Sequence, residues 1–598
     1  MATRPEILAA ELWKSLLKWL KEKSGRNVIT ERTLLIAVAA GIGVLGGLGA
    51  VVFRLLIGFF QGYFLGYKGG DLLAHLLALP WYQRLLAPAA GGLLVGPMVY
   101  FLAREAKGHG VPEVMEAVAL KGGTIRPRVA VVKSLASSLC IASGGSVGRE
   151  GPIVQIGSAI GSTVGQIFRA SSAKKRLFVG CGAAAGIAGT FNTPIAGALF
   201  SLEVILGDFG IMTFSPLVVS SVAAVVVSRH FLGDSPAFVV PPYALVSVYE
   251  FIPYTLLGIL AGVLSIAYTK AVYFAEDSFE TLPKVPPYLL ACAGGLGVGL
   301  LGVFAPHVFG VGYETTERAL AGNLAWYLLF LLPLVKILAT SITLGSGGSG
   351  GIFAPSLFIG AGLGGSLGKA WAALFPAMGA PSGAYAMVGM GAIVAGATHA
   401  PITAVVIVFE MTSDYSIILP LMVACTISTV IACSLQSESI YTLKLTRRGV
   451  SLFRGKELNL MRRIFVRDAL REEIVTIQKD TYLKDILGMT ADSDQAYYPV
   501  VDEKGEITGI LSIRDVMEGL RRGESRDQQL RAGDVSHKKV VFLSPEEDFE
   551  QAFKKYQSLH VEELPVVSPH NPKVPIGIAH VSDLMAVYRR QVLRQSEP

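Results

Sequence analysis

Ser143-Gly-Gly-Ser-Val-Gly-Arg-Glu-Gly-Pro152 decides the fold of this chain, because Ser346-Gly-Gly-Ser-Gly-Gly-Ile-Phe-Ala-Pro355 repeats its pattern. The match runs on past each proline. Gly157, Gly161, Gly182, Gly189, Pro194 and Glu203 correspond to Gly360, Gly364, Gly389, Gly396, Pro401 and Glu410. Such a repeat in a hydrophobic chain marks a membrane transport fold built from two related halves. A glycine cluster opening a helix points backbone N–H groups, and the positive end of the helix dipole, at an anion. Two such helix starts converging at mid-membrane make an anion site.

Composition places most of the chain in a bilayer. Hydrophobic residues make up 52% and charged residues 16% of it. Thr33 to Phe53 carries no charge and is long enough to cross the hydrocarbon core. Comparable runs recur to about Leu435, many of them broken by Gly and Pro. In lipid such breaks survive where protein or a water-filled cavity satisfies the freed backbone groups, so a thick bundle with a polar route is expected. Most of the 67 glycines serve helix packing; the two matched clusters stand apart because their flanking prolines repeat with them.

Ile7, Leu8, Leu12, Trp13, Leu16, Leu17 and Leu20 form a helical stripe beside Lys14, Lys18, Lys21 and Lys23. This predicts an amphipathic helix over residues 1–30 lying along the cytoplasmic face, with no cleavable signal peptide. Basic clusters at Lys121–Lys133, Arg169–Arg176 and Lys444–Arg448 are further cytoplasmic candidates. The net charge of +7 therefore belongs to membrane topology, and no nucleic-acid partner is implied. Cys140, Cys181, Cys292, Cys425 and Cys433 lie in apolar segments without metal-ligand spacing, and read as core thiols.

After about Lys456 charges appear every few residues, and a second repeat begins. Tyr498-Pro-Val-Val501 precedes Gly509-Ile-Leu-Ser-Ile-Arg-Asp515; Leu564-Pro-Val-Val567 precedes Gly577-Ile-Ala-His-Val-Ser-Asp583. Each unit reads as helix, strand, short turn, strand, helix. This resembles a pair of CBS domains, a family that commonly binds adenine nucleotides between its two copies. The resemblance implies that Asp515 and Asp583 contact ribose hydroxyls, that Ser512 and His580 hold the polar position three residues earlier, and that Tyr497 stacks on a base. The alternative is a pair that only joins subunits, with both aspartates as helix N-terminal carboxylates.

The membrane part, about residues 30 to 445, resembles the CLC family of chloride channels and proton-coupled chloride exchangers. Four motifs carry this: Gly108-His-Gly-Val-Pro112, Gly148-Arg-Glu-Gly-Pro152, Gly351-Ile-Phe-Ala-Pro355 and Tyr441. The resemblance implies a homodimer with one anion pathway per subunit and two inverted halves. Glu150 is the informative acid, because a carboxylate deep in an apolar chain is costly unless it serves a purpose. Its side chain can take the place of an anion, closing the path by mimicry until protonation releases it. The alternative is a structural pair with Arg149. Gly148, Arg149 and Glu150 on one loop, and Ile352 and Phe353 on the other, are expected to face the anion. Tyr441 is expected to donate its hydroxyl, or else to serve as an interfacial anchor.

Two positions depart from the family pattern. His109 stands where chloride-selective members carry serine and nitrate exchangers proline; its imidazole either donates to the anion, adding pH sensitivity, or turns away to cap a helix. Val204 follows Glu203 where exchangers usually place a proton-transfer glutamate, which favours uncoupled conduction. Gly362-Leu-Gly-Gly-Ser-Leu-Gly-Lys369 fails as a phosphate loop, because Ala370 replaces its Ser/Thr. No metal cluster or nucleophile triad is visible in the sequence, so neither an enzyme nor a required cofactor is inferred.

The expected architecture is an all-α polytopic membrane domain of two inverted repeats with many broken helices, followed by a soluble α+β CBS pair. Its divisions are 1–30, the amphipathic helix; 31–445, the transport domain; 446–463, a linker; and 464–522 and 523–598, the CBS copies. The expected function is a glutamate-gated, pH-sensitive chloride channel in the plasma (bacterial inner) membrane. Its N-terminus and tail would be cytoplasmic, with chloride, protons and lipid as partners and ATP, ADP or AMP at the tail. A proton-coupled antiporter is the alternative, and a membrane receptor that moves no ions is a third.

Overall fold

The computed structural model describes residues 27–596 except 235, 239, 242, 244–246, 282–284, 377–379, 451–460, 462–463, 491–492, 494, 525–529, 539, 560 and 570. The amphipathic stripe from Ile7 to Lys23 lies outside the described residues, as does most of the linker expected over 446–463. The chain forms two compact units, Met1–Val450 and Ser451–Pro598.

The first unit is helical. In chain order its helices are α1 (Asn27–Leu65), α2 (Leu72–Ala78), α3 (Trp81–Leu102), α4 (Val111–Leu120), α5 (Arg128–Ala142), α6 (Glu150–Ile167), α7 (Ser172–Phe191), α8 (Pro194–Phe200) and α9 (Ile211–Leu232). There follow α10 (Phe251–Glu280), α11 (Leu290–Phe304), α12 (Tyr313–Leu320), α13 (Trp326–Gly345), α14 (Phe353–Leu374), α15 (Ser382–Thr398), α16 (Pro401–Thr412), α17 (Ile418–Leu435) and α18 (Thr442–Arg447). Among the described residues, seven helices are long and apolar enough to cross a membrane. Others, including α8, α11, α15 and α16, are shorter apolar pieces.

The order α4 to α9 returns as α12 to α17, so the repeat seen around the glycine loops extends over both halves. The shared glycines have a packing reason. A Cβ on Gly157 would strike the carbonyl of Gly182, and one on Gly182 that of Gly157; Gly360 and Gly389 block each other in the same way. Helices α6 and α7, and α14 and α15, thus approach backbone to backbone, which only glycine allows.

Contacts between the halves are reciprocal, as a two-fold relation requires. Glu203 accepts from the N–H groups of Ile402 and Thr403 at 3.3 and 2.7 Å, while Glu410 accepts from those of Ile195 and Ala196 at 3.1 and 2.7 Å. Each acid caps the helix start that matches the other's target, supplying acceptors that a helix N-terminus lacks. Ser137 meets Ser349 at 2.9 Å and Thr340 meets Ser146 at 3.4 Å, again an exchanged pair.

Burial refines two readings from composition. Lys133, in the basic cluster 121–133, is wholly buried and donates to the carbonyls of Ala106 (3.0 Å) and Gly108 (2.7 Å). Lys444 is likewise buried, paired with Glu113 at 3.1 Å. Of the five cysteines, Cys140, Cys181 and Cys425 are buried as expected, but Cys433 is exposed on α17.

The second unit contains β1 (Ile477–Gln478), α19 (Leu483–Met489), β2 (Tyr497–Val501), β3 (Ile507–Ser512), α20 (Ile513–Glu524), α21 (Ala532–Val535), α22 (Phe549–Leu559), β4 (Glu563–Val567), β5 (Pro575–His580) and α23 (Val581–Ser596). The antiparallel pairs β2–β3 and β4–β5 carry matching irregularities, at Val500/Val501 and Val566/Val567. The copies interleave. Ile464 and Val466 pack with Leu543, Phe549 and Leu584 of the second copy, while Ala532 packs with Tyr498 and Leu511 of the first.

Candidate functional site

The two glycine loops meet. Gly148 N–H donates to Gly351 O at 2.7 Å and Gly351 N–H to Gly148 O at 2.6 Å, closing an antiparallel bridge. From it α6 and α14 depart, with Arg149 and Ile352 as their caps. First-turn N–H groups have no partner within their own helix, so both helix starts aim unsatisfied donors at one place.

Glu150 occupies that place. It is 1% exposed; its Oε2 accepts from Ala354 N–H at 3.3 Å and its Oε1 from the Tyr313 hydroxyl at 2.8 Å. A side chain on Gly148 would collide with Oε2, so glycine there leaves room for the carboxylate. Arg149 is not its partner. The guanidinium lies 5.0 Å from the Tyr313 ring centre and 5.6 Å from that of Phe191, and reaches Thr190 O at 3.4 Å. The pairing alternative for Glu150 is thereby excluded in this conformation.

His109 is 3% exposed, its Nδ1 has no hydrogen-bond partner, and its ring centre lies 5.8 Å from that of Tyr441. It caps no helix: the N-cap of α4 is Gly110, without a side-chain bond. The loop bearing His109 is fastened to the second glycine loop through Gly108 N–H to Gly348 O (3.0 Å) and Gly350 N–H to Gly108 O (3.2 Å). Tyr441 is 2% exposed and so is no interfacial anchor. Its neighbour Ile440 is held by Ala397 O at 2.9 Å and by the Tyr273 hydroxyl at 2.7 Å. Tyr268 donates to Ile352 O at 3.4 Å, and Phe353 packs on Phe191 at 6.3 Å between ring centres. Val204 is buried in a π-helical turn, Ser201–Leu206, that continues α8.

Sequence reasoning missed three residues here. Tyr313 gave no signal, because its partner is distant in the chain. Lys133 and Lys336 did, standing at the same interval ahead of Ser143 and Ser346. Lys336, also wholly buried, donates to Val308 O (3.0 Å) and Gly310 O (2.9 Å), as Lys133 does in the first half.

In the tail the expected nucleotide ligands are engaged with protein groups. Asp583 accepts from Arg471 Nε at 2.7 Å and Nη2 at 3.1 Å. Asp515 accepts from the Ser512 N–H (2.9 Å) and hydroxyl (2.6 Å), with His537 at 3.4 Å. Partial burial opposes the Asp515 charge, but Ser512 and His537 outweigh it and hold the carboxyl below its usual range. His580 Nδ1 lies 2.6 Å from the Ser582 hydroxyl, and Tyr497 N–H donates to Glu563 at 3.4 Å.

A two-fold helical membrane bundle with a carboxylate seated at paired helix starts is the architecture of CLC proteins. The chain belongs to the voltage gated chloride channel family, whose model matches residues 91–433, and CBS domain models match 466–522 and 532–590. A ClcB-like protein of Ralstonia nicotianae is 39% identical over 418 residues, covering 69% of this chain and 97% of the relative. A voltage-gated ClC-type chloride channel ClcB of Salmonella typhi is 33% identical over 414 residues, covering 69% and 98%. Among solved structures, a slow cyanobacterial Cl-/H+ antiporter matches with TM-score 0.64 and 27% identity over 69% of this chain and 97% of that one. A eukaryotic CLC transporter shares the fold over 92% of this chain and 97% of its own, with TM-score 0.60 and 22% identity.

Proposed function

We propose that this protein carries chloride across a membrane along a path closed by Glu150. The observation that carries the reading is the Glu150 carboxylate between the glycine loops, accepting the Ala354 N–H as an anion would. A protonated Glu150 loses the charge that this seat favours, so acid on the side it faces opens the path. Ile352, Phe353, His109 and Tyr441 then line the route of the anion, with Gly148 and Arg149 shaping the seat. Val204 supports channel conduction, since valine relays no proton. The antiporter reading is favoured instead by the cyanobacterial structure, an antiporter at 27% identity.

The rest of the reading is a homodimer in the plasma (bacterial inner) membrane, with N-terminus and tail cytoplasmic. Adenine nucleotide would bind at the tail through Tyr497, Ser512, Asp515, His580 and Asp583, displacing the guanidinium of Arg471 from Asp583.

The test is flux from purified protein in liposomes, with a chloride gradient and a pH-sensitive dye inside. Chloride moving without stoichiometric protons makes it a channel, and protons driven uphill make it an exchanger. Glu150→Gln is expected to abolish the pH dependence of flux. A pH dependence equal to wild type in that variant ends the gate assignment.

A further inference from the structure

Tyr313 stands at the second-half counterpart of the loop that carries His109. Gly108-His109-Gly110 leads into Val111, the first residue of α4; Gly310-Val311-Gly312 leads into Tyr313, the first residue of α12. The caps Gly110 (φ 84°) and Gly312 (φ 86°) share one left-handed conformation. The turn itself is therefore satisfied by valine, and a tyrosine at this position answers some other requirement.

Its hydroxyl meets the Glu150 carboxylate at 2.8 Å, on the oxygen that Ala354 does not hold. The ring is clamped, with the Arg149 guanidinium 5.0 Å from its centre and Phe238, fully buried, packed edge-on at 5.1 Å. The loop beneath is braced by Lys336 through the carbonyls of Val308 and Gly310. A hydroxyl fixed this firmly is aimed before the carboxylate arrives, so little side-chain entropy is lost when the bond forms.

We propose that Tyr313 is a positioning residue that latches the gate, its phenol holding ionised Glu150 in the anion's seat. A neutral donor strengthens the charged carboxylate far more than the protonated acid, and adds no net charge to the anion path. The latch thus sets how much acid or competing anion is needed to lift Glu150, while Arg149 and Phe238 keep the phenol aimed. The inference rests on the reading of Glu150 as the gate.

The experiment is chloride flux across a pH series in liposomes, for wild type, Tyr313→Phe, Glu150→Gln and the double variant. Phenylalanine keeps the ring contacts and removes only the donor. Tyr313→Phe is expected to raise flux at neutral and alkaline pH roughly tenfold, and to add nothing in the Glu150→Gln background. Flux in Tyr313→Phe equal to wild type, or a change that persists beside Glu150→Gln, overturns the latch and leaves the gate intact. A Glu150→Gln chain with unaltered pH dependence removes the gate, and the latch with it.

Discussion

Glu203 and Glu410 show how one residue acts in the other half of the molecule. Each carboxylate satisfies two backbone N–H groups at the start of a helix across the two-fold, so removing either leaves two helix-start donors without their cap. Glu203→Ala and Glu410→Ala are each expected to cost about 1–3 kcal/mol, read as a lower thermal midpoint in detergent. The Glu203 loss should be the larger, because that carboxylate also accepts from the Thr403 hydroxyl at 2.6 Å, while Ala196 offers Glu410 no such donor. An unchanged midpoint in either variant means that water or a neighbour replaces the cap. The equivalence of these acids was legible in the sequence from their position in the repeat. Their partners were not, because spacing along the chain carries no information about which helix start faces which acid.

At the scale of elements, the paired glycines hold α6 on α7 and α14 on α15 at backbone contact. Gly157→Ala and Gly360→Ala must push these helices apart, and each is expected to destabilise the fold by about 1–3 kcal/mol. Gly58, inside α1, has nothing within 4 Å of a new Cβ, so Gly58→Ala is expected to be neutral or stabilising. Thermal unfolding of the three variants checks the contrast, and equal effects would mean that packing is not what selects glycine. The sequence singled out Gly157 and Gly360 by repetition. The burial of Lys133 was not legible in its basic cluster, because it depends on the carbonyls of Ala106 and Gly108 in another loop.

At the scale of the molecule, the curated relatives match over nearly their whole length while covering 69% of this chain, so the tail has no counterpart in them. The two compact units divide at Val450. A chain ending there is expected to keep chloride flux in liposomes and to lose any response to ATP. Loss of flux, with the shortened protein still folded, would make the tail part of the pathway. Within the tail, Arg471→Ala frees the Asp583 carboxylate and is expected to strengthen ATP binding by the full-length protein, measured by calorimetry. Unchanged or weaker binding would mean that Arg471 does not occupy the place proposed for the nucleotide.

Repeats, hydropathy and glycine–proline spacing were enough to determine a two-half membrane fold, the meeting of two helix starts, and a helix–strand–strand–helix pair in the tail. These are periodic or local properties, and the chain states them directly. Tertiary structure alone decided which groups hold the key side chains. It gave Glu150 to Tyr313 and Ala354 in place of Arg149, turned His109 toward Tyr441, buried Lys133, and set Arg471 on Asp583. Each of those contacts joins residues far apart in the chain, and closing such distances is the work of packing, which no local pattern records.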